Sequence, residues 1–236
     1  QDGLVTEEQI TRAAVRLMTT RMRLGLFDSD CEYDSIPYSK NDSDAHAALA
    51  LQAARGSFVL LKNDGLLPLD RQKIKTLAVI GPNADSRAAL TGNYHGTSSR
   101  YITVLEGIQD AAGEDVRVLY AQGCHLFRDR EESMAQPDDR LAEALTAAEL
   151  ADAVVLVVGL DETLEGEAGD GANAAASGDK LDLLLPASQR RLLDAVLAAG
   201  KPTVICLMAG SAIDLQAAGE RANALLLTWY PGARGG

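Results

Sequence analysis

Apolar positions recur along the chain with two different periods. Between residues 6 and 24, Ile10, Ala13, Ala14, Leu17, Met18 and Leu24 share one helical stripe; the capping-box pattern Thr6-x-x-Gln9 opens it and Gly25 stops it. That predicts an amphipathic helix. From Phe27 to Asp44 the pattern lapses into Ser, Asp and Pro37, which reads as a linker with a boundary between Ser29 and Asp44. Beyond it, helical and extended patterns alternate. Helices are expected at Asp44 to Arg55, Val104 to Ala112, Arg140 to Leu150 and Ser188 to Ala199. Phe58 to Leu61 is a short extended run, and strands are expected at Thr76 to Ile80, Val116 to Ala121, Ala153 to Val158, Thr203 to Met208 and Ala224 to Thr228.

Unbroken runs of Val, Ile and Leu between amphipathic helices are what a parallel sheet covered on both faces requires. Right-handed crossovers then place helices on both sides. The expected fold is α/β: a mostly parallel sheet flanked by helices, over residues 45–236, preceded by one helix and a linker. In such a sheet, ligands bind outside the carboxyl ends of the strands, where the strand order reverses. Two connections at that edge are long, Gly81 to Tyr101 and Gly159 to Leu185. Loops above about 12–15 residues inside a domain are usually functional or disordered.

Composition narrows the classes. Hydrophobic residues make up 47 % of the 236, so disorder is excluded, and 34 acidic against 22 basic residues give a net charge of −12. That balance argues against nucleic acid, whose phosphates need clustered Lys and Arg. Cys31, Cys124 and Cys206 form no CxxC pair and are odd in number, so neither a disulfide framework nor a zinc knuckle is indicated. No run approaches about 18 apolar residues, and Gln1-Asp2-Gly3 does not open a signal peptide. The expectation is a cytoplasmic, bacterial protein rather than a secreted one, with no membrane partner. The missing initiator Met and the stop at Gly235-Gly236, just after a strand and a turn, read as the ends of a piece of a longer protein.

The first long loop holds Gly81-Pro82-Asn83-Ala84-Asp85 and Gly92-Asn93-Tyr94-His95-Gly96. It is neither a dinucleotide fingerprint nor a phosphate loop. Its glycines suit a turn, and Asn93, Tyr94 and His95 suit hydroxyl recognition; either role is open. The second loop packs Asp161, Glu162, Glu165, Glu167 and Asp170 into ten residues, with no base before Lys180. Repulsion among them is costly unless the loop is solvated, holds a cation or keeps one carboxyl protonated, the last being the chemistry of a general acid. EF-hand spacing is absent. His46 and His125 read as structural, and no Ser or Cys is placed for a nucleophilic triad. Trp229 and Tyr230 could form a sugar platform, although a strand end favours core packing.

Several segments, in order, resemble glycoside hydrolase family 3, the β-glucosidase and β-xylosidase family. They are Gly25-Leu26-Phe27-Asp28, then Leu60-Leu61-Lys62-Asn63-Asp64-Gly65-Leu66-Leu67-Pro68-Leu69, then Ile80-Gly81-Pro82-Asn83-Ala84 and Gly92-Asn93-Tyr94. Glu165-Gly166-Glu167, Leu185-Pro186 with Gln189, Lys201-Pro202, and Trp229-Tyr230-Pro231-Gly232 with Gly235-Gly236 follow. The resemblance implies that residues 1–28 end with the last helix of an upstream (β/α)8-type barrel, that 29–44 link, and that 45–236 form an α/β sandwich. It implies retaining hydrolysis of a terminal β-linked sugar by two carboxyl groups, without metal or organic cofactor. The Asp nucleophile of the barrel, met in Ser-Asp-Trp or similar, has no counterpart in this chain and would lie upstream; the partners implied are that barrel and an oligosaccharide or glycoside. The acid/base Glu of such members stands three residues before an Asp, commonly in Glu-Gly-x-Asp-Arg. Here that position is Glu167, with Glu165 as rival. Ala168 replaces the Gly and Gly171 the Arg, which leaves open whether the sugar is glucose or xylose. The other reading is a non-catalytic carbohydrate-binding or interaction module. A flavodoxin-like nucleotide or receiver domain fits the alternation, but the phosphate-loop glycines it needs are not in this sequence.

Overall fold

A six-stranded sheet organises residues 44–236. The computed structural model describes residues 3–130, 133–167, 178 and 180–236, and divides into two units, residues 1–43 and 44–236. The first unit is led by α1, Glu7–Arg23. The Thr6 hydroxyl accepts the Gln9 N–H at 3.2 Å, and the Gln9 side chain accepts the Thr6 N–H at 2.8 Å, satisfying two of the donors left over at a helix start. None of its side chains is buried; Ile10, Val15, Leu17 and Met22 all remain exposed. Within the expected linker lie two short 3-10 turns, Glu32–Ser35 and Tyr38–Lys40.

The second unit runs α2 (Asp44–Ser57), β1 (Val59–Asn63), β2 (Thr76–Ile80), α3 (Ala88–Thr91), α4 (Val104–Ala112) and β3 (Arg117–Ala121). It continues with α5 (Leu141–Leu150), β4 (Ala153–Gly159), α6 (Ala187–Ala198), β5 (Thr203–Met208), α7 (Ala217–Arg221) and β6 (Ala224–Leu227). The strand order is β1-β6-β5-β4-β2-β3. Five strands are parallel and β1 lies antiparallel on β6, with Val59 opposite Leu227. The mostly parallel α/β sandwich expected from the sequence is the observed fold. β1 turns out to be an edge strand with Leu60 and Leu61 exposed. The first long loop is also not all loop, because it contains α3, four residues that bury Ala89 and Leu90.

Side chains alternate across the sheet as period-2 geometry demands. Ala78 and Ile80 of β2, with Val154, Leu156 and Val158 of β4, face α5, α6 and α7; Leu77, Val79, Val155 and Val157 face α3 and α4. Every position of β4 is buried. A fully buried Leu, Ile or Val contributes roughly 1.5–3 kcal/mol, so the two faces clamp the central strands from both sides.

The chain leaves β2 toward β3 on one side and leaves β4 toward β5 on the other, so the order reverses between the neighbours β2 and β4. Gly81 directly follows β2 and Gly159 closes β4, and no other residue could replace either without backbone movement. A Cβ on Gly81 would sit 2.0 Å from the Val157 carbonyl oxygen, and one on Gly159 would sit 1.8 Å from that of Met208. Their φ values of +133° and +149° also exclude other residues without strain. The two long loops therefore leave the sheet side by side.

Candidate active-site loop

The acidic loop is fastened at its root. Gln189 of α6, fully buried, accepts the Gly159 N–H at 2.8 Å and donates its amide to the carbonyls of Gly159 and Leu126, each at 2.7 Å. Asn83, from the other loop, donates to the Leu160 carbonyl at 2.9 Å. The Leu164 and Glu165 N–H groups both reach the Asp161 carbonyl at 3.0 Å, which winds residues 161–165 into a helical turn and buries Leu164.

Asp161, Glu162 and Glu165 each meet donors. Asp161 Oδ1 accepts the Thr163 N–H at 2.9 Å and the Thr163 hydroxyl at 2.5 Å. Glu162 Oε2 lies 3.2 Å from His95 Nε2, and His95 Nδ1 lies 2.8 Å from the Gly96 carbonyl. That carbonyl first, and Glu162 second, raise the His95 pKa, because only the imidazolium can donate to both. Glu165 Oε2 accepts the Gly210 N–H at 2.8 Å and the Tyr230 hydroxyl. Burial, reinforced by Glu165, pushes the Tyr230 pKa up, so the phenol stays a donor. Gly166 donates to the Gly178 carbonyl at 3.1 Å, and a Cβ on it would meet the Glu162 carbonyl oxygen at 2.7 Å and Asn93 Nδ2 at 3.2 Å. Glu167 is solvent-exposed. Asp170, with Ala168, Gly169 and Gly171 of the expected motif, lies outside the described residues.

Asn93, Tyr94 and His95 come together beside this loop. Asn93 is half-buried next to Gly166, and its Oδ1 accepts the Tyr94 N–H at 2.9 Å; Tyr94 has φ +55° and is 77 % exposed. Trp229 and Tyr230 part company. Tyr230 is half-buried, whereas Trp229 is 38 % exposed at φ +56°, its indole donating to the Ser57 carbonyl at 3.0 Å. Core packing fails for Trp229 because the positive φ turns it off the strand. His125 is structural: its Nδ1 accepts the N–H groups of Phe127 and Arg128. Among the described residues no three His, Cys, Asp or Glu side chains are placed to share a metal ion, and no helix is long and apolar enough to cross a membrane. The ties from Tyr230, Gly210 and His95 to the acidic loop escape sequence reasoning. The one available signal was an aromatic pair directly after an apolar strand.

A doubly wound α/β domain with an acidic loop at its switch point is the class these features define. The family model of the Glycosyl hydrolase family 3 C-terminal domain matches residues 58–236. The chain belongs to glycoside hydrolase family 3, and residues 58–236 are its C-terminal domain. It is 37 % identical over 234 residues to a β-xylosidase of Formosa agariphila, covering 96 % of this chain and 30 % of that protein. It is 34 % identical to a periplasmic β-glucosidase of Salmonella typhimurium, covering all of this chain and 32 % of the relative. Among solved structures, a family 3 exo-β-xylosidase in complex with a xylobiose aziridine activity-based probe superposes with a TM-score of 0.82 at 34 % identity, over all of this chain and 28 % of that one. A β-glucosidase of Listeria innocua in complex with gluconolactone gives 0.73 at 29 %, over 100 % and 30 %. The chain thus spans about 30 % of the length of the curated relatives it matches.

Proposed function

We propose that this chain supplies the general acid/base to a retaining exo-β-glycosidase of the β-xylosidase or β-glucosidase type, with Glu167 as that residue. One observation carries the choice between the two candidates. Glu165 already accepts two donors and is half-buried behind Tyr230, whereas Glu167 is exposed at the crevice edge of the sheet. A carboxyl group that must give a proton to a glycosidic oxygen, and later take one from water, has to be reachable by both.

In the reaction a nucleophilic carboxylate attacks the anomeric carbon while Glu167 protonates the departing oxygen. Glu167, now ionised, takes a proton from the water that hydrolyses the glycosyl-enzyme intermediate. Retention requires the two carboxyl groups about 5–5.5 Å apart. The nucleophile comes from a barrel domain, to which α1 belongs; residues 1–236 contain no matching motif, so this chain alone turns over no aryl glycoside. Asn93, Tyr94 and His95, at the mouth of the same crevice, contact the sugar. No step needs a metal or organic cofactor.

The test is Glu167→Ala in the full-length enzyme. For an alkyl β-xyloside or β-glucoside, kcat/KM should fall by about 10²–10⁴-fold, the usual worth of general acid catalysis. With a dinitrophenyl glycoside, whose leaving group needs no acid, kcat/KM should hold while kcat drops, and azide should restore kcat and yield a glycosyl azide of retained configuration. Unchanged kinetics on both substrates would favour the non-catalytic carbohydrate-binding reading.

A further inference from the structure

One carboxylate oxygen joins the ends of three strands, and the phenol that donates to it adds a fourth. Glu165 Oε2 belongs to the loop after β4; the Gly210 N–H that reaches it follows β5, and the Tyr230 hydroxyl that reaches it follows β6. The loop after β2 completes the set, because the Tyr230 ring lies against Gly92. A Cβ there would be 2.6 Å from Tyr230 Cδ2, and one on Gly210 would be 3.1 Å from Cε2. The Cδ2–Cε2 edge of the ring therefore packs on two glycines, and its hydroxyl is directed at Glu165. Two residues on stands Glu167. The short link between them is itself immobilised: Gly166 fits under the Glu162 carbonyl and beside Asn93, and it donates to Gly178. Gly178 in turn lies so close that a Cβ on it would be 1.7 Å from the Gly166 carbonyl oxygen and 2.7 Å from the Glu167 carbonyl carbon.

We infer that Tyr230 and Glu165 are positioning residues for the acid/base step, a strap that fixes the backbone from which Glu167 reaches the glycosidic oxygen; this rests on the assignment of Glu167 above. The physical requirement is steep. An acid must sit within hydrogen-bond reach of the oxygen it protonates, and a displacement of about 1 Å can cost about 10²-fold. A loop on the rim of a sheet has little packing to hold such tolerance, since only Leu164 of its first turn is in the core. A charge-assisted hydrogen bond from a phenol, and a second from a backbone N–H to the same oxygen, supply what packing does not. The strap also ties the acid loop to Gly92, next to Asn93 and Tyr94, so the sugar contacts and the acid share one rigid reference.

The experiment compares Tyr230→Phe, Glu165→Ala and Glu165→Gln with Glu167→Ala in the full-length enzyme. Each is measured as kcat/KM over a series of glycosides of rising leaving-group pKa, with thermal midpoints recorded alongside. Tyr230→Phe keeps the ring in its slot and removes only the hydroxyl. It should lower kcat/KM for the poorest leaving groups by about 10- to 100-fold, in proportion to a misplaced acid, and leave the dinitrophenyl glycoside nearly untouched. Glu165→Ala should do the same, and Glu165→Gln, which keeps an oxygen for both donors, should recover most of the loss. Azide should accelerate only Glu167→Ala, because the Glu167 carboxylate is still present in the others. Equal losses across the whole leaving-group series, or a lowered thermal midpoint with no kinetic change, would make the strap a structural tie and overturn the inference. Azide rescue at Glu165→Ala would make Glu165 the acid itself and overturn it too. Loss of the leaving-group dependence at Glu167→Ala would instead sink the assignment on which the strap depends.

Discussion

Gln189 provides the sharpest test of how the acid loop is held to the sheet. Its side chain is fully buried and makes three hydrogen bonds to backbone, accepting from Gly159 N–H and donating to the carbonyls of Gly159 and Leu126. Gln189→Leu keeps nearly the same volume and removes all three. The Gly159 N–H then loses its acceptor in the interior, worth about 1–3 kcal/mol, and each carbonyl loses one of two possible donors, worth about 0.5–1.5 kcal/mol. The expected total is about 2–6 kcal/mol. For a domain of this size each kcal/mol moves the midpoint by about 2–4 °C, so the thermal midpoint should fall by roughly 4–24 °C.

Two measurements check this. Denaturant unfolding gives the free-energy difference, and amide exchange at Gly159 reports whether the root of the loop opens locally before the rest of the sheet. Gln189→Glu adds a sign. The carboxylate would face two carbonyl oxygens, so folding favours its protonated form and raises its native pKa. Stability of that variant should therefore be greatest below the ordinary Glu range and decline as pH rises through the elevated native value. A Gln189→Leu loss under about 1 kcal/mol, with Gly159 exchange unchanged, would refute the idea that this amide anchors the loop.

Two further outcomes follow from the same edge of the sheet. His95 should titrate above its ordinary 6.5 by NMR, and Glu162→Gln should lower that value without abolishing the shift, since the Gly96 carbonyl is the larger cause. The tie between the two loops is then fully formed below 6.5 and is lost as pH rises through the elevated value; a titration at or below 6.5 would contradict it. Gly81→Ala should cost more than about 4 kcal/mol and abolish soluble expression, because a positive φ and a backbone carbonyl 2.0 Å from the new Cβ act together. Ordinary yield and midpoint for that variant would mean the strand ends are looser than described.

The sheet was legible where burial is symmetrical. The seven residues of β4 are buried throughout, and only a strand covered on both faces reads as an unbroken Val run. Direction was not legible: Val59 to Leu61 forms a short apolar run that fits an antiparallel edge as well as a parallel one, and only its pairing with β6 decides. Helices α3 and α7 escaped because four or five residues cannot display a 3.6-residue period. The switch point itself could be placed in advance only as two long loops, since strand order is set by long-range pairing.

The division of labour within the acidic loop was hidden for a different reason. Five carboxylates in ten residues pose an electrostatic problem that sequence states without solving. Solvation, a cation or a retained proton would each answer it, and nothing within the loop distinguishes them. The donors that resolve it come from far along the chain: Tyr230 lies 65 residues from Glu165, and His95 lies 67 from Glu162. Asp161 closes on Thr163 within the loop, while the donors to Glu162 and Glu165 come from the loops after β2 and β6. Tyr230 and the Gly210 N–H together set half-buried Glu165 apart from exposed Glu167, two residues on along the same loop. The contrast on which the proposal of Glu167 rests is thus supplied by an aromatic residue beyond the last strand, and it becomes readable only once the sheet brings the strand ends to one edge.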